Sequence, residues 1–239
     1  MKRNIMMAAG VLFIGSSIAV AGEARSVSYA TNGGSASSTA TATGNATALS
    51  IAGATNGGRA VSDSRAHGER WGYGESRSVA VADHGLAVSR ANADARGYAG
   101  GRALSEAESV AATVGGVAVS NSDALAHGSY WGDATSRSFS TALSDHGTAL
   151  SNSRAISDGI FGGEAVSISD SLADTFRGYS VSDVEAVSGA SLYGRAVSDG
   201  VGISVSGPGR NGRADVYAES RAKRSGYSRS NASVIRIVR

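Results

Sequence analysis

Apolar and polar positions alternate along most of this chain. From Gly116, Ala118, Ser120, Ser122, Ala124 and Ala126 fall on one parity, and Val117, Val119, Asn121, Asp123 and Leu125 on the other. Successive side chains of a β-strand point to opposite faces, whereas an amphipathic helix needs apolar spacings of three and four. The pattern therefore predicts strands with one face of Ala and Ser. The other face carries aliphatic residues flanked by polar ones, with Val61, Val88, Leu104, Val119, Leu150, Val166, Val181 and Val197 forming an expected column.

The alternation is written as a repeated phrase, Gly-x-Ala-(Val/Leu)-Ser-x-(Ser/Ala)-x-(Ala/Ser). It reads GRAVSDSRA from Gly58, GLAVSRANA from Gly85, GVAVSNSDA from Gly116 and GTALSNSRA from Gly147. With looser copies there are about fifteen phrases, and the clear ones from Gly85 onward start 15 or 16 residues apart. A longer period lies above this one. Residues 85–116 align with 147–178 without a gap, at an offset of 62, and super-repeats begin at Gly58, Gly116 and Gly178. After the tripeptide SRS one copy reads VAVADHG and another FSTALSDHG. The difference of two residues keeps every later side chain on its face, where a one-residue slip would invert them all.

A short repeat with Gly, Asp, Asn and His clusters between strands suits an all-β solenoid or β-roll, each phrase forming one coil. About fifteen coils of 15–16 residues would stack at ~4.8 Å into a slim rod of roughly 70 Å. The alternative is a long antiparallel β-meander completed on assembly. In the one-phrase coil, Arg59 would neighbour Glu75 and Arg90 would neighbour Glu106, while Asp170 and Glu185 would form a like-charged pair.

Composition fits a thin interior. The chain of 239 residues holds 33 Gly, 42 Ala and 40 Ser, and too few large apolar side chains for a thick core. Cysteine is absent, which excludes disulfides and thiolate chemistry. Lys2 and Arg3, the apolar stretch from Ile5 to Val20, and Ala19-Val20-Ala21 read as a secretory signal peptide over 1–21. Beyond it come Gly/Ala/Ser/Thr-rich phrases at 22–57, a repeat body at 58–206, and a basic segment with a terminal strand at 207–239. Charge is lopsided: residues 22–206 carry a net −6 and residues 207–239 a net +6.

The wording STATATGNATALS (38–50) resembles the head repeats of trimeric autotransporter adhesins, which form β-rolls. The Ala/Ser/Gly alternation is similar to silk, and the tandem secreted strands to curli-type subunits. These resemblances to secreted β-repeat proteins imply a surface or matrix role and transfer no functional residue.

Candidate chemistry is sparse. His67, His84, His127 and His146 each precede a Gly, and the two Asp-His pairs, Asp83-His84 and Asp145-His146, belong to turns in the phrase pattern. Adjacent strand residues face opposite ways, and in one-phrase coils His67 and His127 would stand about four rungs apart, near ~19 Å. No catalytic residue, metal site or cofactor is assigned. Trp71, Tyr73, Tyr130, Trp131 and Phe161 gather in turn regions as candidate ligand or subunit contacts. Arg221, Lys223, Arg224, Arg229 and Arg236 form a basic patch around an assembly strand containing Val234, Ile235, Ile237 and Val238. That strand is an aggregation hazard unless paired, as the cap of the stack or on a neighbour's edge. The expected function is a secreted structural protein that polymerises with itself by β-edge pairing and opposed charge into filaments or biofilm matrix. The alternative is an adhesin or glycan-binding repeat that engages an anionic polysaccharide or a cell surface. Neither sequence-specific nucleic-acid binding nor a membrane span in the mature chain is expected.

Overall fold

The computed structural model describes residues 13–69, 72–98, 101–161, 163–207, 212–224 and 226–238. The strands are β1 (Phe13–Ala30), β2 (Ser35–Ala54), β3 (Arg59–Gly68), β4 (Tyr73–Ala82), β5 (Leu86–Gly97), β6 (Ala103–Gly128), β7 (Ala134–Gly159), β8 (Glu164–Ser191), β9 (Arg195–Ser206), β10 (Gly212–Lys223) and β11 (Tyr227–Val238). All their pairings are parallel, so the chain is a β-solenoid and the antiparallel meander is excluded. Among the described residues no helix is long and apolar enough to cross a membrane.

The coil is twice the size that the phrase suggests. Leu86 pairs with Val117, Val117 with Thr148 and Thr148 with Tyr179, so one turn takes 31 residues, or two phrases. The 62-residue super-repeat is two coils. Ala36, Ala60, Ala87, Ala118, Ala149, Ser180 and Gly212 stand in one column, with six turns between the first and the last. The fifteen-coil rod is thereby corrected. Six turns rise about 30 Å, and twelve-residue strands such as β10 extend about 40 Å. The molecule is a flattened plate rather than a slim rod.

Each coil has a front strand and a back strand. The front wall consists of 13–20, 35–43, β3, β5, 117–128, 148–159, 179–190 and β10. The back wall consists of 22–30, 46–54, β4, 103–113, 134–144, 164–174, β9 and β11. Residues 13–20, within the expected signal peptide, line up along β2, while 1–12 lie outside the described residues. The expected aliphatic column divides between the walls: Val61, Val88, Val119, Leu150 and Val181 stack in front, and Leu104, Thr135, Val166 and Val197 behind. The two SRS copies do not stack on each other, because Ser136 stands over Ser105 and Gly74, two positions along but on the same face.

Between the walls lie almost only Ala and Ser. Ala118, Ala124, Ala149, Ala155, Ser120 and Ser151 are all fully buried. The buried hydroxyls bridge the walls. Ser120 donates to the Ser109 carbonyl at 2.7 Å and Ser122 to that of Ala107 at 2.6 Å. In the reverse direction Ser138 donates to the Ser122 carbonyl and Ser140 to that of Ser120, both at 2.8 Å. A side chain as short as Ser can reach an opposing main chain only if the walls lie well inside the ~10 Å of ordinary sheet stacking. Burial of so many hydroxyls is tolerated because they are hydrogen-bonded. Near the C-terminal end the interior changes: Val184 and Val216 replace Ser, and Gly200 and Gly202 opposite them leave room. A Cβ on Gly202 would lie 2.7 Å from the Val216 side chain.

The glycines that open the repeat-body phrases at the two edges have a steric cause. At the edge where the chain passes from back to front, a Cβ on Gly85 or Gly116 would lie 2.0 Å from the carbonyl oxygen of Gly58 or Gly85 respectively. At the opposite edge, a Cβ on Gly163 would lie 2.2 Å from the Gly132 oxygen. Two glycine spines therefore run up the plate, one at each edge.

Candidate functional site

The coil size sets which charges meet. Arg59 stacks on Leu86 and Arg90 on Asn121, so neither meets the acid expected of it, and Glu75 stands beside Glu106. Among the described residues, the Arg–carboxylate pairs formed across rungs are Arg154–Glu185 at 3.0 Å, Arg195–Glu164 at 3.3 Å, Arg77–Glu108 at 3.5 Å and Arg102–Asp133 at 3.9 Å. Asp170 and Glu185 lie on different walls. Burial raises the Asp170 carboxyl above its ordinary pKa, and repulsion from Asp199 adds to this.

The histidines also move. His67 stacks on Asp94, with its Nδ1 3.1 Å from the carboxylate, and His127 stands between Arg96 and Asp158. The two lie two rungs apart rather than four. Asp83 and His84 are in contact at 2.6 Å, and Asp145 and His146 at 3.0 Å, because both pairs sit at the back-to-front edge, where strand alternation lapses. Among the described residues no group of three or more His, Asp or Glu could hold a metal ion.

Of the aromatic candidates, Tyr130, Trp131 and Phe161 share the front-to-back edge. The Tyr130 and Phe161 rings stack at 5.2 Å, and Trp131 is 72% exposed. Sequence reading missed Leu192 and Tyr193, which occupy the same edge, Tyr193 being 74% exposed. The 62-residue offset was the available signal, since it carries Tyr130-Trp131 onto Leu192-Tyr193. All five have positive φ, from 53° to 69°, a conformation that bulky side chains rarely adopt. Tyr73 is separate: it opens β4, half-buried, and donates to Glu75 at 2.6 Å. Burial and that hydrogen bond push its phenol up to about 12. Trp71 lies outside the described residues.

The C-terminal patch is the last coil. β10 pairs with β8 and β11 with β9, and their outer edges have no partner strand among the described residues. Every residue of β11 is exposed, including Val234, Ile235, Ile237 and Val238. Arg221 pairs with Glu219, and Lys223, Arg224 and Arg229 are exposed around the coil. Val234 and Arg236 line a cavity of about 570 Å³ together with Gly212 and Ala214 of the opposite wall, which makes it the mouth of the interior. An inward-pointing charge on an edge strand is a device that blunts pairing with other chains.

A second cavity, of about 810 Å³, runs along the outside of the front wall. Two columns form its sides. One is Asp63, Arg90, Asn121, Asn152, Asp183 and Asp215, and the other is Arg65, Asn92, Asp123, Arg154, Glu185 and Tyr217. Asn152 donates to Asn121 at 2.8 Å, and Arg65 to Asp63 at 2.9 Å. Burial raises the Asp123 carboxyl against the attraction of Arg154, and Asp183 is raised by burial and by repulsion from Asp215.

No protein-family model, no curated protein and no solved structure matches the chain.

Proposed function

We propose that this protein is a secreted structural subunit that joins to other copies of itself in an extracellular filament or surface matrix. One observation carries the reading. The terminal coil presents two parallel strands, β10 and β11, whose outer edges lack partners among the described residues, with apolar side chains exposed along β11. Such an edge is a template for another strand. Arg236 sets a condition for joining, because a copy that covers the mouth must accommodate its guanidinium. Residues 22–54 hold only Glu23 and Arg25 as charged groups. The opposing charge therefore comes from the acidic body of the neighbour, so the contact is screened by salt.

The test is negative-stain microscopy and sedimentation of residues 22–239 across protein and salt concentration. The expected outcome is filaments at low salt that shorten at high salt, and their loss in an Arg229→Glu/Arg236→Glu variant that keeps its β-rich circular dichroism. Monodisperse monomers under every condition would sink the proposal.

The exposed aromatic edge favours a second reading, adhesion to a cell-surface glycan. Its expectation is that Trp131→Ala weakens cell binding and leaves assembly unchanged.

A further inference from the structure

The front-wall groove differs in chemistry from the rest of the surface. Its two columns contain no Lys, Ser or Thr: every side chain is a carboxylate, amide, guanidinium or phenol. These are planar groups, and all but the phenol can make two hydrogen bonds side by side. Aliphatic columns flank them, with Val88, Val119 and Leu150 on one side and Leu125, Ile156 and Val187 on the other. With Arg213, which also lines it, the groove holds four Arg against five carboxylates, so it does not select a strongly charged ligand. Its volume is that of a ligand site.

The dimensions narrow the class. A pair of planar polar groups recurs at each rung, about 4.8 Å apart, close to the length of one sugar in an extended β-linked chain. Paired planar acceptors and donors match the vicinal hydroxyls of a sugar, and the aliphatic flanks match its C–H faces. We propose that this groove binds a neutral, extended, β-linked glycan lying along the coil axis, one sugar to a rung. The Asn121–Asn152 ladder holds the centre of the chain, Asp123 and Asp183 accept hydrogen bonds from its hydroxyls, and Tyr217 meets its end. The front wall is presented by monomer and filament alike, so the proposal stands apart from assembly.

The experiment is titration calorimetry of the purified protein with β-1,4-linked glucose and N-acetylglucosamine oligomers of increasing length, with α-1,4-linked glucose oligomers as the bent comparison. Affinity should rise with length for a β-linked series, until the groove is filled, and be absent for the α-linked one. Asn121→Ala/Asn152→Ala and, separately, Asp123→Ala should each weaken binding about tenfold or more, with thermal unfolding showing that the variants are folded. Glu108→Ala, on the outside of the back wall, should bind as the unsubstituted protein does. Absence of saturable binding to either β-linked series, equal binding of the α-linked chain, or equal loss in Glu108→Ala would overturn the proposal. So would glycan-independent self-association that the groove variants abolish, which would assign the wall to a second copy.

Discussion

The interior is governed by single hydroxyls. Ser138 both donates to the Ser122 carbonyl at 2.8 Å and accepts from the Arg154 amide at 3.2 Å, so it ties one wall to the other. Thr175 is equally buried, yet its hydroxyl has no hydrogen-bond partner. Opposite outcomes are expected on chemical denaturation: Ser138→Ala should cost about 1 kcal/mol, and Thr175→Val, which keeps the shape, should gain about 1 kcal/mol. A third residue links stability to pH. Because burial raises the Asp170 pKa, the folded state binds its proton more tightly than the unfolded chain does. The stability cost is complete above the folded pKa and disappears as pH falls through it to the unfolded value. Asp170→Asn should therefore raise the free energy of unfolding at neutral pH by less than about 1 kcal/mol, since the group is partly solvated. That gain should vanish below the ordinary carboxylate range. A constant gain across pH would contradict the assignment.

At the scale of the element, strand identity was legible and strand partnership was not. The alternation of Ala118, Val119 and Ser120 announces a strand with a small inner face, and Ala118 and Ser120 are fully buried. Two walls that face each other so closely need the same small inner face, so the phrase is written twice in each coil. A reader counting phrases obtains twice the number of coils. Offsets of 31 and 62 held the answer, since only whole coils restore a residue to its own wall. The groove was hidden for the same reason: Asp123 and Arg154 become neighbours only at the 31-residue spacing. The glycine spines offer the sharpest test at this scale. A Cβ on Gly178 would stand 1.7 Å from the Gly147 oxygen, whereas at Gly189 the nearest atom is a side-chain oxygen of Asp158 at 3.2 Å. Gly178→Ala should cost about 3 kcal/mol or more by forcing two coils apart, and Gly189→Ala should change stability by less than about 0.5 kcal/mol. Equal effects by thermal denaturation would remove the steric account of the repeat.

The plate as a whole is not uniform from end to end. Ser35 pairs with Arg59, 24 residues on, Arg59 with Leu86, 27 on, and Ser180 with Gly212, 32 on. Paired back-wall segments lengthen from the nine residues of 46–54 to the twelve of β11, or from about 30 Å to about 40 Å. One end is thus a smaller oval than the other. Copies joined tail to head would meet at a step, with a narrow waist following each broad shoulder. An unlabelled projection of such a fibre would display its subunit boundaries as regular constrictions, and the slope between them would give its polarity.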